Sequence, residues 1–157
     1  MKIKLLAMDC DGVLTDGRLY FSARGEEMKV FDVRDGQGIV SWHRAGFKSA
    51  IISGRGAGEI VGKRAEELGI EFVRTSSTDK VRDLNEIVAE LGLSLDEVAY
   101  IGDDVGEVEV MKTVGFAVAV ADAVEETKRL AEHVTKSKGG RGAVREVVDM
   151  LLAERAK

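Results

Sequence analysis

Two aspartates separated by a single residue follow the first apolar run of the chain. Asp9 and Asp11 open the segment DCDGVLTDG, directly after the run LLAM. Two carboxylates at this spacing can do two jobs, because one can attack an electrophile or bind a metal ion while the other exchanges protons. Asp and Gly also favour turns, so the pair taken alone is more typical of an ordinary turn after a strand.

Three further segments carry groups that could take part in chemistry. Ser53 and Gly54 follow an apolar run, and a hydroxyl beside a glycine N–H can hold a phosphate oxygen. Lys80 opens a helical pattern, where the helix dipole disfavours a cation unless an anion lies nearby. The segment GDDVGE at 102–107 holds three carboxylates, and such oxygen-rich clusters suit Mg²⁺. Each segment alone is also explained by a helix cap, a surface lysine or an acidic helix start.

The elements that must position these groups alternate between short apolar runs and longer amphipathic patterns. This rhythm predicts an α/β fold in which helices cover both faces of a parallel sheet. The predicted strands are 2–9, 47–52, 70–73, 98–101, 116–120 and 133–135, and the predicted helices are 36–45, 59–68, 79–91, 105–114, 124–131 and 143–153. Because ligands of such sheets bind at the carboxyl ends of the strands, we expect the four groups to meet at one rim.

Composition limits the classes of protein that remain. The chain has 157 residues and shows no linker or repeat, so we expect one domain over 1–157. A net charge of −5 disfavours a nucleic-acid surface, and no apolar run reaches the roughly 18 residues of a membrane span. Asp9 comes too early for the core of a signal peptide, which predicts a cytoplasmic protein. The single cysteine, Cys10, excludes an internal disulfide, and we expect it to be a passive packing residue.

Taken jointly, the motifs resemble a known family. DCDGVLTDG, the SGR at 53–55, Lys80 and the GDD at 102–104 are similar to the motifs of the haloacid dehalogenase (HAD) superfamily of phosphohydrolases. DGQG at 35–38, AVAVADA at 117–123 and GGRGAVRE at 139–146 extend the resemblance over nearly the whole chain, to the 3-deoxy-D-manno-octulosonate (KDO) 8-phosphate phosphatases. The resemblance implies a doubly wound, Rossmann-like sheet without a cap domain, and a Mg²⁺-dependent phosphomonoester hydrolase.

The resemblance also implies roles for the acidic residues. Asp9 would be the nucleophile and would form an aspartyl phosphate, while Asp11 would protonate the leaving oxygen and then deprotonate water. Mg²⁺ would be held by the Asp9 carboxylate, the Asp11 backbone carbonyl and Asp103.

The remaining site residues implied by the resemblance bind substrate. Ser53, the backbone N–H of Gly54 and Lys80 would stabilise the transferring phosphoryl oxygens, and Lys80 counts among the catalytic residues. Arg55 would bind the carboxylate of a sugar-acid phosphate, because a guanidinium matches a carboxylate in two hydrogen bonds. Arg141, in a glycine-rich segment, would reach into an adjacent site, although a solvated surface arginine is an equally good interpretation.

A predicted β-hairpin at 18–31 interrupts the alternation of strands and helices. No insertion is large enough for a cap domain, and the resemblance implies that a neighbouring subunit covers the site instead. We therefore expect a homotetramer assembled through this hairpin.

Three alternatives stay open from the sequence. A nonulosonate (sialic-acid or KDN-type) 9-phosphate phosphatase would keep the chemistry and change the sugar. A two-component receiver domain would need an aspartate after the third strand, where this chain has Arg74, Thr75 and Ser76. A non-catalytic scaffold is supported only by Glu107, which stands where the family usually has an aspartate. The extra methylene could shift a water-mediated contact to Mg²⁺.

Overall fold

The fold is built on one parallel sheet of six strands. A computed structural model describes residues 2–157. In chain order the strands are β1 (Leu5–Met8), β2 (Tyr20–Ser22), β3 (Gly25–Met28), β4 (Lys48–Ile52), β5 (Phe72–Arg74), β6 (Val98–Gly102), β7 (Phe116–Ala119) and β8 (His133–Val134). The sheet order is β5-β4-β1-β6-β7-β8, and every neighbouring pair is parallel. This is the order of a doubly wound sheet, as predicted.

Six α-helices and two short 3₁₀ helices connect the strands. The α-helices are α1 (Val33–Arg44), α2 (Gly58–Leu68), α3 (Lys80–Leu91), α4 (Val108–Met111), α5 (Glu125–Leu130) and α6 (Ala143–Arg155). The 3₁₀ helices are Leu95–Glu97 and Val105–Glu107. Within residues 2–157, no helix is both long enough and apolar enough to cross a membrane.

Two hydrophobic cores lie on opposite faces of the sheet. In β1, Leu6 and Met8 pack into the core that α1, α2 and α6 cover, while Leu5 and Ala7 pack into the core beneath α3 and α4. The alternation follows from the two-residue period of side chains in a strand. Because both faces are covered, the central strands are continuous apolar runs, which explains why LLAM shows no polar alternation.

Two helices differ from the sequence prediction by three residues or more at one of their bounds. Helix α1 begins at Val33 instead of Gly36, because the Asp32 carboxylate accepts hydrogen bonds from the Arg34 and Asp35 amides and caps the helix. The helix predicted at 105–114 is a 3₁₀ turn followed by the four-residue α4. Its first turn is tightened because the Glu107 carboxylate accepts from the Asp104 amide at 2.9 Å.

The predicted hairpin is present as a separate two-stranded sheet. Strands β2 and β3 pair in antiparallel fashion, with an irregularity between Tyr20 and Phe21. Several large apolar side chains of this segment are exposed, and Phe21 keeps 67% of its surface accessible. An isolated two-stranded hairpin is marginally stable in water, so this one depends on further contacts.

Candidate active site

The carboxyl ends of three adjacent strands meet at one cleft. Asp9 follows β1, Ser53 follows β4 and Asp103 follows β6, and these strands are direct neighbours in the sheet. The cleft has a volume of about 490 Å³. It is lined by Asp9, Asp11, Gly17, Ser53, Gly54, Arg55, Ser77, Thr78, Lys80 and residues 103–107. The structure therefore places all but one of the site residues named from the sequence around a single cavity, the exception being Arg141.

Three carboxylates and one lysine form the base of the cleft. Asp9, Asp103 and Glu107 each offer an oxygen within 4.8 Å of the others. The Lys80 ammonium lies 3.2 Å from Asp9 Oδ1 and 2.6 Å from Glu107 Oε1. Lys80 is the first residue of α3, which the Asp79 carboxylate caps. The lysine disfavoured by the dipole thus has two buried anions as partners.

The charges of this group do not balance. Burial raises the pKa of the Asp9 carboxyl to about 7, against the opposing effect of Lys80 and with a further increase from Glu107. Burial, Glu107 and Asp9 together raise the pKa of Asp103 to about 8. Asp103 Oδ1 is buried without a hydrogen-bond partner in the part of the chain that the structure describes. One lysine therefore faces three carboxylates, and a divalent cation bound by hard oxygen ligands would relieve their repulsion.

Asp11 is not part of this cluster and has different partners. Its Oδ1 accepts from the Lys29 ammonium at 2.6 Å, and Lys29 also contacts Glu26 Oε1 at 3.0 Å. The Arg55 side chain is 3.9 Å from Asp11 Oδ2 and 3.9 Å from Glu26 Oε2. The two aspartates of the motif are therefore held by separate lysines, which gives them separate electrostatic environments.

The loop that follows Asp9 passes close beneath Asp103. Gly12 has φ +86°, and a Cβ atom at this position would lie 1.9 Å from Asp103 Oδ2. The Thr15 hydroxyl accepts from the amides of Gly12 and Gly17, both at 3.2 Å, and holds the loop closed. Cys10 is buried, and burial raises the pKa of its thiol to about 12. The thiol stays protonated at neutral pH, as expected of a packing residue.

The loop after β4 presents a hydroxyl and backbone amides to the cleft. Ser53 is buried, donates its amide to the Arg74 carbonyl at 2.8 Å and accepts from the Ser77 amide at 2.9 Å. Its hydroxyl accepts weakly from the Arg55 amide at 3.3 Å, which leaves the hydroxyl hydrogen free to be donated. Ser53 is therefore fixed in place at the wall of the cleft that Lys80 also lines.

Arg141 does not line this cleft. Its side chain is 68% exposed and lies 3.8 Å from Asp16 Oδ2. The glycines before it pack tightly on the loop that follows Asp9, since the Gly140 amide donates to the Val13 carbonyl at 2.8 Å. A Cβ at Gly139 would lie 1.7 Å from the Gly12 carbonyl oxygen. The reach of Arg141 into an adjacent site stays a prediction.

Sequence reasoning missed the contacts of three residues that the structure brings to the site. It counted Glu107 in the acidic cluster at 102–107 and as a departure from a family pattern, but it did not predict that Glu107 is 3% exposed and is the nearest partner of Lys80. Its capping-box spacing from Asp104 is visible in the sequence and could have fixed its orientation. Lys29 and Glu26 were assigned only to the hairpin, and no local pattern shows that they reach Asp11.

Comparison with known proteins assigns the family. A sequence model described as haloacid dehalogenase-like hydrolase matches residues 62–147. The 3-deoxy-D-manno-octulosonate 8-phosphate phosphatase KdsC of Yersinia pestis is 45% identical over 155 residues, which cover 99% of this chain and 82% of the relative. The enzyme of the same name from Escherichia coli K12 is 43% identical over the same shares. The chain belongs to the KDO 8-phosphate phosphatase family of HAD-like hydrolases.

Solved structures of the KDO 8-phosphate phosphatase family share the fold of this chain. The Yersinia pestis enzyme superposes with a TM-score of 0.96 at 45% identity, covering 99% of this chain and 84% of that one. The Moraxella catarrhalis enzyme, solved in complex with magnesium ion, phosphate ion and KDO, gives 0.93 at 39% identity, covering 97% and 87%. A cobalt-bound phosphatase of Haemophilus influenzae gives 0.96 at 38% identity, covering 99% and 91%. The predicted family and fold, with the hairpin, are confirmed.

Proposed function

We propose that this chain is a Mg²⁺-dependent phosphatase that converts KDO 8-phosphate to KDO and phosphate. The observation that carries the proposal is the cluster of Asp9, Asp103, Glu107 and Lys80 in the cleft that Asp11 also lines. The cluster provides a nucleophilic carboxylate, cation ligands and a phosphate-binding ammonium in one place. The family supplies the substrate, because relatives 43–45% identical carry the name KDO 8-phosphate phosphatase.

The buried carboxylates fit a magnesium ion. Asp9 and Asp103 would hold it through side-chain oxygens and Asp11 through its backbone carbonyl, with Glu107 close enough to contribute. Asp103 Oδ1 has no hydrogen-bond partner among residues 2–157, and the pKa values of Asp9 and Asp103 are raised. Both observations indicate a site with too little positive charge for its carboxylates. When bound, Mg²⁺ neutralises charge on the phosphate and on the carboxylates that face it.

The chain's own residues divide the chemistry between two carboxylates. An Asp9 oxygen attacks phosphorus, and the bond from phosphorus to the sugar oxygen breaks as the aspartyl phosphate forms. Asp11 gives a proton to the departing sugar oxygen and later takes one from the water that releases phosphate. Lys80 and the Ser53 hydroxyl donate to the phosphoryl oxygens, where charge develops. Gly54 contributes its backbone amide to the same oxygens.

Arg55 would select the sugar acid. Its side chain is partly exposed at the mouth of the cleft and has no close ion pair, since both carboxylates near it are 3.9 Å away. The Arg55 guanidinium can therefore give up these two weak contacts and donate two hydrogen bonds to the substrate carboxylate.

Assembly and cellular setting are further parts of the proposal. We propose a homotetramer formed through the hairpin at 18–31, because Leu19, Phe21, Met28 and Val30 are largely exposed there. Arg141 would approach a neighbouring site in this assembly. We further propose that residues 1–157 act as one hydrolase domain in the cytoplasm.

Release of phosphate from a substrate panel tests the proposed function. The panel contains KDO 8-phosphate, a nonulosonate 9-phosphate and several neutral sugar phosphates, each with Mg²⁺ or with EDTA. We expect the highest kcat/KM for KDO 8-phosphate and no turnover in EDTA. Faster turnover of the nonulosonate ester would move the assignment to the other sugar. No turnover of any ester with Mg²⁺ would support a non-catalytic scaffold.

A further inference from the structure

The hairpin brings a buried cation to the active site. Lys29 follows β3 directly, and its side chain is only 2% exposed. Burying a lysine costs free energy unless its charge is paired. Both of its partners, Asp11 and Glu26, are themselves largely buried. A buried cation, which costs free energy of folding, is therefore found beside Asp11, the residue that transfers protons in the proposed reaction.

The contact with Lys29 makes the two oxygens of Asp11 unequal. The ammonium is 2.6 Å from Oδ1, and an ammonium can only donate, so Oδ1 must accept. The contact therefore fixes the orientation of the Asp11 carboxyl through Oδ1. Oδ2 is buried and has no hydrogen-bond partner among residues 2–157, with Arg55 Nε at 3.9 Å.

Glu26 gives Lys29 a second anionic partner. Its two oxygens are 3.0 and 3.3 Å from the Lys29 ammonium. The ammonium is therefore held from the hairpin side as well as by Asp11, and Glu26 fixes the position from which Lys29 contacts Asp11.

We propose that Lys29, held by Glu26, is a positioning residue that fixes the Asp11 carboxyl through Oδ1. The inference rests on the proposed phosphatase function. In the first step Asp11 gives its proton to the leaving oxygen as the bond to phosphorus breaks and the Asp9–phosphorus bond forms. In the second step Asp11 takes a proton from water as the water oxygen bonds to phosphorus and the Asp9–phosphorus bond breaks. Asp11 returns to its starting state.

A pair of aryl esters separates this role from sugar binding. Phenyl phosphate and 4-nitrophenyl phosphate have nearly the same shape, but nitrophenolate departs without help from an acid and phenolate needs it more. For Lys29→Met we expect kcat/KM to fall about tenfold or more for phenyl phosphate and less than about threefold for 4-nitrophenyl phosphate, because a positioned acid accelerates the reaction where the leaving group needs a proton. The parameter kcat/KM is compared because it reports the step in which the leaving group departs.

Two further variants make the outcome decisive. Lys112→Met removes a lysine that is 51% exposed and does not line the cleft, and it should change kcat/KM for neither ester. Glu26→Gln keeps Lys29 but gives it a weaker partner. It should also lower kcat/KM more for phenyl phosphate than for 4-nitrophenyl phosphate, by a smaller factor than Lys29→Met does. Thermal unfolding shows whether each variant is folded, and if Lys29→Met is not, Glu26→Gln decides.

Equal losses for the two esters, or no loss for either, would overturn the positioning role of Lys29. Failure of the wild-type enzyme to release phosphate from any ester would instead overturn the proposed function, and this inference with it.

Discussion

Replacing Gly12 by alanine should disable the site while leaving the chain folded. Gly12 lies in the loop after Asp9, and the added Cβ would be 1.9 Å from Asp103 Oδ2. Ordinary van der Waals contact begins at 3.4 Å, so the Asp103 carboxylate or the loop must move by about 1.5 Å. Either movement separates groups that must act on the same phosphate.

Two effects of different size follow from this substitution. Alanine at φ +86° costs about 1–2 kcal/mol of stability, because the left-handed region crowds the Cβ atom. Misplacing a catalytic group by about 1 Å can lower the rate about 10²-fold. We therefore expect kcat/KM to fall about 10²-fold or more, with weaker Mg²⁺ binding, for a modest loss of stability.

Gly46→Ala is the matched control. Gly46 has φ +90° and nothing within 4 Å of its would-be Cβ, so this variant carries the backbone strain without the collision. Chemical denaturation should give similar stability losses for the two variants. Phosphate release and Mg²⁺ titration by calorimetry should then be normal for Gly46→Ala and impaired for Gly12→Ala. Wild-type kcat/KM and Mg²⁺ affinity in Gly12→Ala would refute the reasoning.

Three further predictions concern the acidic cluster and the hairpin. Asp9→Asn should stay folded by circular dichroism and release no phosphate, and near-normal turnover would remove Asp9 from the nucleophile role. In EDTA, the free energy of unfolding should fall as pH rises from about 4 to 8, because folded Asp9 and Asp103 retain protons that the unfolded chain has lost. The fall should be smaller in Asp103→Asn or with Mg²⁺, and equal slopes in all three denaturation series would contradict it. Phe21→Glu should reduce the oligomer seen by light scattering while Val134→Glu does not, and an unchanged mass would count against the hairpin interface.

The sequence predicted the sheet and the cleft because both depend on local patterns. Apolar runs of the right length mark β1 and β6, and the chemistry-bearing residues follow the strands directly, so the topology alone brings Asp9, Ser53 and Asp103 together. Helix bounds were less well predicted where a side chain competes for backbone amides. Asp32 starts α1 three residues early, and Glu107 shortens the helix after β6.

The contact between Lys29 and Asp11 could not be predicted from the sequence. Lys29 and Asp11 are 18 positions apart and follow strands of different sheets, and no period relates them. The contact depends on how the hairpin folds back over the rim, which is a property of packing rather than of spacing. The same holds for Gly139 and Gly12, whose close approach is visible only in three dimensions.

The close approach of Gly139 to Gly12 means that the active-site loop cannot be completed until late in synthesis of the chain. Gly139 and Gly140 close the back of the loop after Asp9 and are made 130 residues after it. At translation rates of about 5–20 residues per second, roughly 7 to 26 s pass before the loop has its support. Helix α6 is made later still, so until then the apolar side chains of β1 on the face that α6 covers, Leu6 and Met8, lack that cover. A nascent or prematurely terminated chain is consequently an inactive species that is prone to aggregate, rather than a partly active phosphatase.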